Sequence, residues 1–158
     1  IAVCGDGACG KTSICLRFAH DSFDREYHQT LGLDFFSRQV VLPGQVSVVL
    51  QVWDVGGQSI ASSMLERYVF GADAIIFVYD VTNGASFENV DEWRRTVLEY
   101  FKDPEKQPVQ MLVGNKVDLE QKRVVRVDRH ETYAADKGMR NCYVCARTGD
   151  SVQALFRS

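Results

Sequence analysis

No stretch of about 18 consecutive apolar residues occurs in the chain, so no segment is of the kind that crosses a bilayer as a helix. No stretch within these residues has the basic start, apolar centre and small-residue cleavage site of a secretory leader, and none is expected. Proline is scarce, at three residues, and no repeat or low-complexity stretch occurs, which excludes solenoid arrays and proline-rich linkers. The three histidines, His20, His28 and His130, stand at no ligand spacing and are read as surface or core residues. Cysteines number five (Cys4, Cys9, Cys15, Cys142 and Cys145), an odd count at no disulfide-framework spacing, which fits a reducing cytosol without disulfides. Cys142 and Cys145 lie in the apolar run NCYVCA, where residues three apart on a strand face opposite sides, so a tetrahedral metal site is not expected there. Positive charge is not in excess either. The net charge of -3 argues against nucleic acid held by electrostatics alone, and the short run KRVVR at Lys122 to Arg126 reads as a solvated loop and strand edge.

What is present describes an ordinary globular protein. The 158 residues, 46% hydrophobic and 25% charged, suffice for one domain over 1–158 that buries roughly two thirds of its unfolded surface. The chain starts inside an apolar run at Ile1 and stops inside an apparent helix at Ser158, so both natural ends are expected to lie beyond it.

Apolar runs alternate with helical patterns. IAVC (1–4) reads as a strand and 11–20 as a helix. FFSRQVVL (35–42) and VSVVLQVW (46–53) flank Pro43-Gly44 as a hairpin. AIIFVYD (74–80) and VQMLVG (109–114) are too continuously apolar to be half exposed and read as buried strands. Between them Phe87, Val90, Trp93, Val97, Leu98 and Phe101 recur at intervals of three and four, one face of a helix with Ser86 as its N-cap. A helix over 128–137 stopped by Gly138, a strand over 141–146 and a final helix beginning within 150–157 complete the pattern. The fold class is therefore α/β. A mainly parallel sheet of six strands with one antiparallel edge strand carries helices on both faces, and a ligand is expected at the carboxyl ends of the strands.

The end of the first strand meets that expectation. Gly5-Asp6-Gly7-Ala8-Cys9-Gly10-Lys11-Thr12 fits G-x-x-x-x-G-K-[ST] in full between a strand and a helix that continues through Ser13. Glycines let backbone N–H groups turn inward around a phosphate, and the helix N-terminus adds an effective charge of roughly +0.5 facing it. Lys11 is placed to bridge β- and γ-phosphates and the Thr12 hydroxyl to ligate magnesium. Asn115-Lys116-Val117-Asp118 follows the strand 109–114, about a hundred residues on. The Asp118 carboxylate can accept from guanine N1–H and the N2 amino group, a donor pair that adenine lacks, so the base is read as guanine. Lys116 can lay its stem on the base and Asn115 can tie the loops together.

With these two motifs the whole chain resembles the Ras superfamily of small GTPases, the P-loop NTPase fold called a G domain. The resemblance implies that Cys145-Ala146-Arg147 stands for the family's Ser-Ala-Lys segment, whose central backbone N–H reads guanine O6, and that Phe23 packs edge-on to the base. Thr30-Leu31-Gly32-Leu33-Asp34-Phe35, together with Tyr79-Asp80-Val81-Thr82 and Ser86-Phe87-Glu88-Asn89-Val90, is similar to Rab proteins, and LDFF, LPG and WDVGGQS resemble most the divergent Rab subfamily numbered twenty-eight.

That resemblance implies two switch regions. Thr30 would give its hydroxyl to magnesium and its N–H to the γ-phosphate, while Asp54 would hold magnesium through water and Gly57 N–H would bind the γ-phosphate. Loss of the γ-phosphate would release both switches. Gln58 would orient the attacking water, with Lys11 and Thr30 completing the catalytic set, and Gly7 leaves room for an arginine from an activating protein. Slow intrinsic GTP hydrolysis, on the order of 10⁻⁴ to 10⁻³ per second, is expected. Phe35, Trp53 and Tyr68 fall at the aromatic triad with which Rabs meet effectors; alternatively they are core aromatics. Partners implied are GTP and GDP, an exchange factor, an activating protein, effectors, and endosomal or ciliary membranes reached from the cytoplasm through a lipidated tail outside this chain. Two other readings stay open: a guanine-nucleotide scaffold with negligible turnover, and an Arf-like GTPase, since WDVGGQ also occurs there. Compared with the usual Rab Thr-Ala-Gly-Gln-Glu, Val55-Gly56-Gly57-Gln58-Ser59 has an extra glycine, expected to loosen the second switch, and lacks a carboxylate that could engage Lys11 during exchange.

Overall fold

The computed structural model describes residues 1–158 as one six-stranded sheet with helices on both faces. The strands are β1 (Ala2–Cys4), β2 (Leu33–Leu42), β3 (Val46–Val55), β4 (Ala74–Asp80), β5 (Val109–Asn115) and β6 (Arg140–Tyr143), in the order β2-β3-β1-β4-β5-β6. Only β2 runs antiparallel to its neighbour, with Phe35 opposite Trp53 and Val41 opposite Ser47. The other pairings are parallel and so require crossovers. These are supplied by α2 (Leu65–Val69), α3 (Gly84–Leu98) and α4 (Val127–Asp136), while α1 (Lys11–His20) leads from β1 to the edge strand and α5 (Val152–Leu155) follows β6.

Alternation along β4 shows why its run is apolar throughout. Ile75, Phe77 and Tyr79 join one core with Leu65 and Val69 of α2 and Phe87, Val90, Trp93 and Val97 of α3. Ile76 and Val78 join the other, with Ile14, Cys15 and Phe18 of α1 and Val152 and Leu155 of α5. Each face needs an apolar side chain at every second residue, so burial on both sides demands one at each.

Three local expectations shift. Asn83, not Ser86, caps α3: its side chain accepts from Ser86 N–H. Ser86 lies one turn inside, buried, and its hydroxyl accepts from Asp80 N–H at 3.1 Å and donates to Asn83 O at 2.7 Å, tying the helix start to the end of β4. The strand read as 141–146 stops at Tyr143: Val144 N–H still reaches Gly114 O of β5 at 2.9 Å, but Cys145 N–H turns to Asp150 O, and the apolar character of the buried Cys145 and Ala146 reports burial rather than pairing. The last α-helix occupies only Val152–Leu155 of the 150–157 window. No helix is long and apolar enough to cross a membrane. The five cysteines are free, and burial pushes the thiol of Cys4 up to about 12.

His130 is fully buried where α4 crosses the sheet. Its Nδ1 shares a hydrogen bond of 2.9 Å with Tyr79 Oη, and its ring stacks on Tyr143 at 4.4 Å. Burial holds the imidazole neutral, with its pKa down from 6.5 to about 4. The unfolded chain therefore binds the extra proton first, and stability present above pH 6.5 is lost as the pH falls towards 4. Going from pH 7 to pH 5 is expected to cost about 2 kcal/mol through this group. His130→Gln should flatten the pH dependence of the denaturant midpoint by that amount, whatever its own stability; equal slopes in the two proteins would show that His130 is not the titrating group.

Candidate nucleotide site

A cavity of about 510 Å³ opens at the carboxyl ends of the strands. Four separate loops converge on it: Gly7 to Ser13 after β1, Gly57 and Gln58 after β3, Asn115 to Leu119 after β5, and Ala146 with Arg147 after β6; residues 23–30 cover the front. Of the site residues read from the sequence, Gly7, Ala8, Gly10, Lys11, Thr12, Ser13, Phe23, Thr30, Gly57, Gln58, Asn115, Lys116, Asp118, Ala146 and Arg147 line this one space. Gly5, Asp6, Cys9, Asp54 and Cys145 stand behind it as its support.

The loop before α1 is held from below. Lys11, 5% exposed, folds back so that Nζ donates to Asp6 O at 2.7 Å. The Asp6 carboxylate in turn accepts from Trp93 Nε1 at 2.9 Å and Asn89 Nδ2 at 2.6 Å, both on α3. Asp6 is thus a strut rather than a lining residue, and Trp93, read as a core aromatic, has its one polar atom at the site's foundation. Tyr27, from the cover, reaches over the same loop, with its hydroxyl 3.7 Å from where a Cβ on Gly7 would stand.

Beside this loop three hard oxygens meet. Thr12 Oγ1 lies 2.5 Å from Asp54 Oδ2 and 2.7 Å from Thr30 Oγ1, and Thr30 Oγ1 is 3.3 Å from Asp54 Oδ2. The other carboxylate oxygen of Asp54, Oδ1, is buried without a hydrogen-bond partner. Burial pushes the Asp54 carboxyl above the usual carboxylate range, against the pull of the Thr12 hydroxyl and the Lys11 charge. A buried, under-satisfied carboxylate beside two hydroxyls is a donor set that fits a magnesium ion, whose charge would favour the ionised form.

At the opposite end polar groups from three loops converge. Asn115 Nδ2 donates to Cys9 O at 3.0 Å, and its Oδ1 accepts from Ala146 N–H at 3.2 Å, so one amide ties three loops together. Lys116, in a left-handed conformation at φ 68°, stretches across to Ala8 O at 2.8 Å and pairs with Asp80 at 2.6 Å. Asp80, read from the sequence only as part of the Rab-like Tyr79–Thr82 segment, aims the lysine. The Asp118 carboxylate receives the Cys145 thiol at 3.3 Å and lies 3.5 Å from the Arg147 guanidinium. Arg17 of α1, another residue no motif singles out, donates to the carbonyls of Ala146 and Arg147.

The segment WDVGGQS closes the space between the two ends. Gly56 N–H donates to Gly32 O at 2.8 Å, and buried Ser59 donates its hydroxyl to the same carbonyl at 3.2 Å. A Cβ on Gly56 would lie 2.5 Å from Thr30 O. Glycine at this position permits a close approach of the two switch segments, and the Ser59 hydroxyl adds a bond across it. Phe35 and Trp53 pack together on the open face of the β2–β3 hairpin at 4.8 Å, 44% and 36% exposed. Tyr68 is half-buried and packs against the core, its hydroxyl 3.1 Å from where a Cβ on Gly32 would stand, so Phe35 and Trp53 are surface aromatics while Tyr68 joins core and surface.

Comparison with known proteins agrees with this arrangement. The Ras family model matches residues 1–158. Ras-related protein Rab-28 of Caenorhabditis elegans is 54% identical over 157 residues, covering 99% of this chain and 63% of that protein. Ras-related protein Rab-13 of Bos taurus is 36% identical over 154 residues (98% of this chain, 74% of the relative), and Rab-10 of Diplobatis ommata 36% over 152 residues (96% and 74%). The chain thus spans less than two thirds of the Rab-28 relative and about three quarters of the other two.

Proposed function

The chain belongs to the Ras family and its relatives are Rab proteins; from that premise we propose that residues 1–158 form one G domain acting as a Rab-type switch that binds GTP and GDP, hydrolyses GTP slowly and recruits effectors in membrane trafficking. The observation that carries the reading is the single cavity onto which the phosphate loop, Thr30, Gln58, the Asn115–Asp118 loop and Ala146 all open.

The roles follow from position. Lys11 and the loop N–H groups neutralise and cradle the phosphates, with Lys11 Nζ held against the loop by Asp6 O. Thr12, Thr30 and Asp54 are the residues that would hold magnesium. That ion, when bound, offsets charge on the β- and γ-phosphate oxygens. Thr30 and Gly57 offer backbone N–H groups to the γ-phosphate, so the two switch segments have a reason to stay together only in the triphosphate state. Exposed Gln58 is free to orient a water. Asp118 and the Ala146 N–H read guanine, with Phe23 and Lys116 bracketing the ring. Phe35, Trp53 and Tyr68 present aromatic area beside the switches, the kind of anchor that dominates interfaces. Exchange factor, activating protein and a lipidated segment outside 1–158 complete the cycle on endosomal or ciliary membranes.

Single-turnover GTP hydrolysis tests the reading. Wild type is expected to turn over on the order of 10⁻⁴ to 10⁻³ per second and to be accelerated by a Rab-type activating protein, and Gln58→Leu to lower the intrinsic rate by about tenfold. Because such activating proteins bring an arginine and a glutamine of their own, the stimulated rate should fall less than the intrinsic one. A wild type that binds GTP tightly but never cleaves it, with several activating proteins tried, would establish the scaffold reading instead.

A further inference from the structure

We propose that Arg17 is a positioning residue for guanine recognition, acting from α1 through the Cys145-Ala146-Arg147 loop; this rests on the guanine reading above. Cys145 replaces the hydroxyl that would otherwise lock this loop to Asp118, and a thiol is a weak donor. Arg17 adds a second hold on the same loop from α1. Its Nε donates to Ala146 O at 3.0 Å and its Nη2 to Arg147 O at 2.8 Å, so one planar guanidinium fixes two successive peptide planes. Its remaining nitrogen, Nη1, donates to Asp21 O at 3.0 Å and pairs with the Asp21 carboxylate at 3.1 Å, which anchors the fork to the end of α1. The stem passes beneath the loop, with Cδ 3.4 Å from where a Cβ on Gly149 would stand, and only 15% of the side chain is exposed. The carbonyl of the peptide that carries the Ala146 N–H, Cys145 O, accepts from Gly149 N–H at 2.8 Å, the N–H itself donates to Asn115 Oδ1 at 3.2 Å, an acceptor that guanine O6 would share or replace, and the next carbonyl along, Ala146 O, is held by Arg17. The donor for guanine O6 is aimed by a residue that touches no nucleotide, since Arg17 is not among the residues lining the cavity.

Nucleotide competition separates this role from a general structural one. The protein is titrated with GDP, inosine diphosphate, 2-aminopurine riboside diphosphate and ADP. Inosine keeps O6 and N1–H and loses only the N2 amino group; 2-aminopurine loses O6 and N1–H and keeps the amino group. In Arg17→Met the preference for GDP over 2-aminopurine riboside diphosphate should narrow by about fivefold, the size of one neutral hydrogen bond, while the preference for GDP over inosine diphosphate stays constant. Arg17→Lys, which keeps the stem and the charge but cannot span both carbonyls in one plane, should fall between. An equal loss of affinity for GDP and 2-aminopurine riboside diphosphate in the folded variants, or no change in either, overturns the proposal. Equal wild-type affinity for GDP and ADP would overturn the guanine reading itself. Should Arg17→Met not fold, the same ratios in Arg17→Lys decide.

Discussion

Asp118→Asn is expected to weaken GDP binding by about a thousandfold and to turn the base preference from guanine to xanthine. Asp118 sits at the base end of the cavity, beside the Cys145 thiol and 3.5 Å from the Arg147 guanidinium. As a carboxylate it offers only acceptors, which match the N1–H and N2 amino donors of guanine. Asparagine keeps one acceptor for N1–H but turns its amide donor towards N2, where guanine also presents a donor. Xanthine carries a carbonyl at that carbon, so the same amide then finds an acceptor. Two donors forced together out of water cost far more than a missing contact, which is why the expected effect exceeds that of removing a single hydrogen bond. Competition among GDP, xanthosine diphosphate and ADP on both proteins measures it. Xanthosine diphosphate binding by the variant is its own proof of folding, and a variant that still prefers GDP would remove Asp118 from the base site.

The parts of the fold and site that could be read from the sequence are those whose signal is local. The phosphate loop and the Asn115–Asp118 loop each declare themselves within eight residues, because one turn of backbone must do the work. The strands β4 and β5 declare themselves by burial on both faces. The supports are silent because they join distant positions: Trp93 reaches Asp6 across 87 residues and Arg17 reaches Ala146 across 129. No periodicity marks Trp93 as a donor rather than a core filler, and its α3 spacing is satisfied either way. The overlong final strand has a related cause. Cys145 and Ala146 are apolar because the loop that carries them is buried, and composition cannot distinguish a buried loop from a strand.

Gly57→Ala is expected to leave GDP affinity essentially unchanged and to lower GTP hydrolysis by about a hundredfold, the penalty of displacing a reacting group by about 1 Å. A Cβ at this position would stand 2.2 Å from Gly7 N and 2.7 Å from Gly7 Cα. Both are backbone atoms, so no side chain can swing aside. One of the two segments must move, and the phosphate loop is the better anchored: Lys11 holds Asp6 O, and Trp93 and Asn89 hold the Asp6 carboxylate. The segment carrying Gln58 therefore yields, withdrawing both the Gly57 N–H and the water-orienting side chain from the γ-phosphate while the diphosphate end of the cavity stays intact. Single-turnover hydrolysis at saturating GTP, set beside GDP affinity, reads the two effects separately. A parallel fall in both would mean that the phosphate loop had moved instead. Unchanged hydrolysis would mean that the close approach of Gly57 to Gly7 is not the arrangement in which GTP is cleaved. The glycines of WDVGGQS thus have opposite neighbours, Gly56 against Thr30 and Gly57 against Gly7. Through them the second switch is wedged between the first switch and the phosphate loop, so an added methyl at either glycine presses on the geometry of the γ-phosphate before it touches the base.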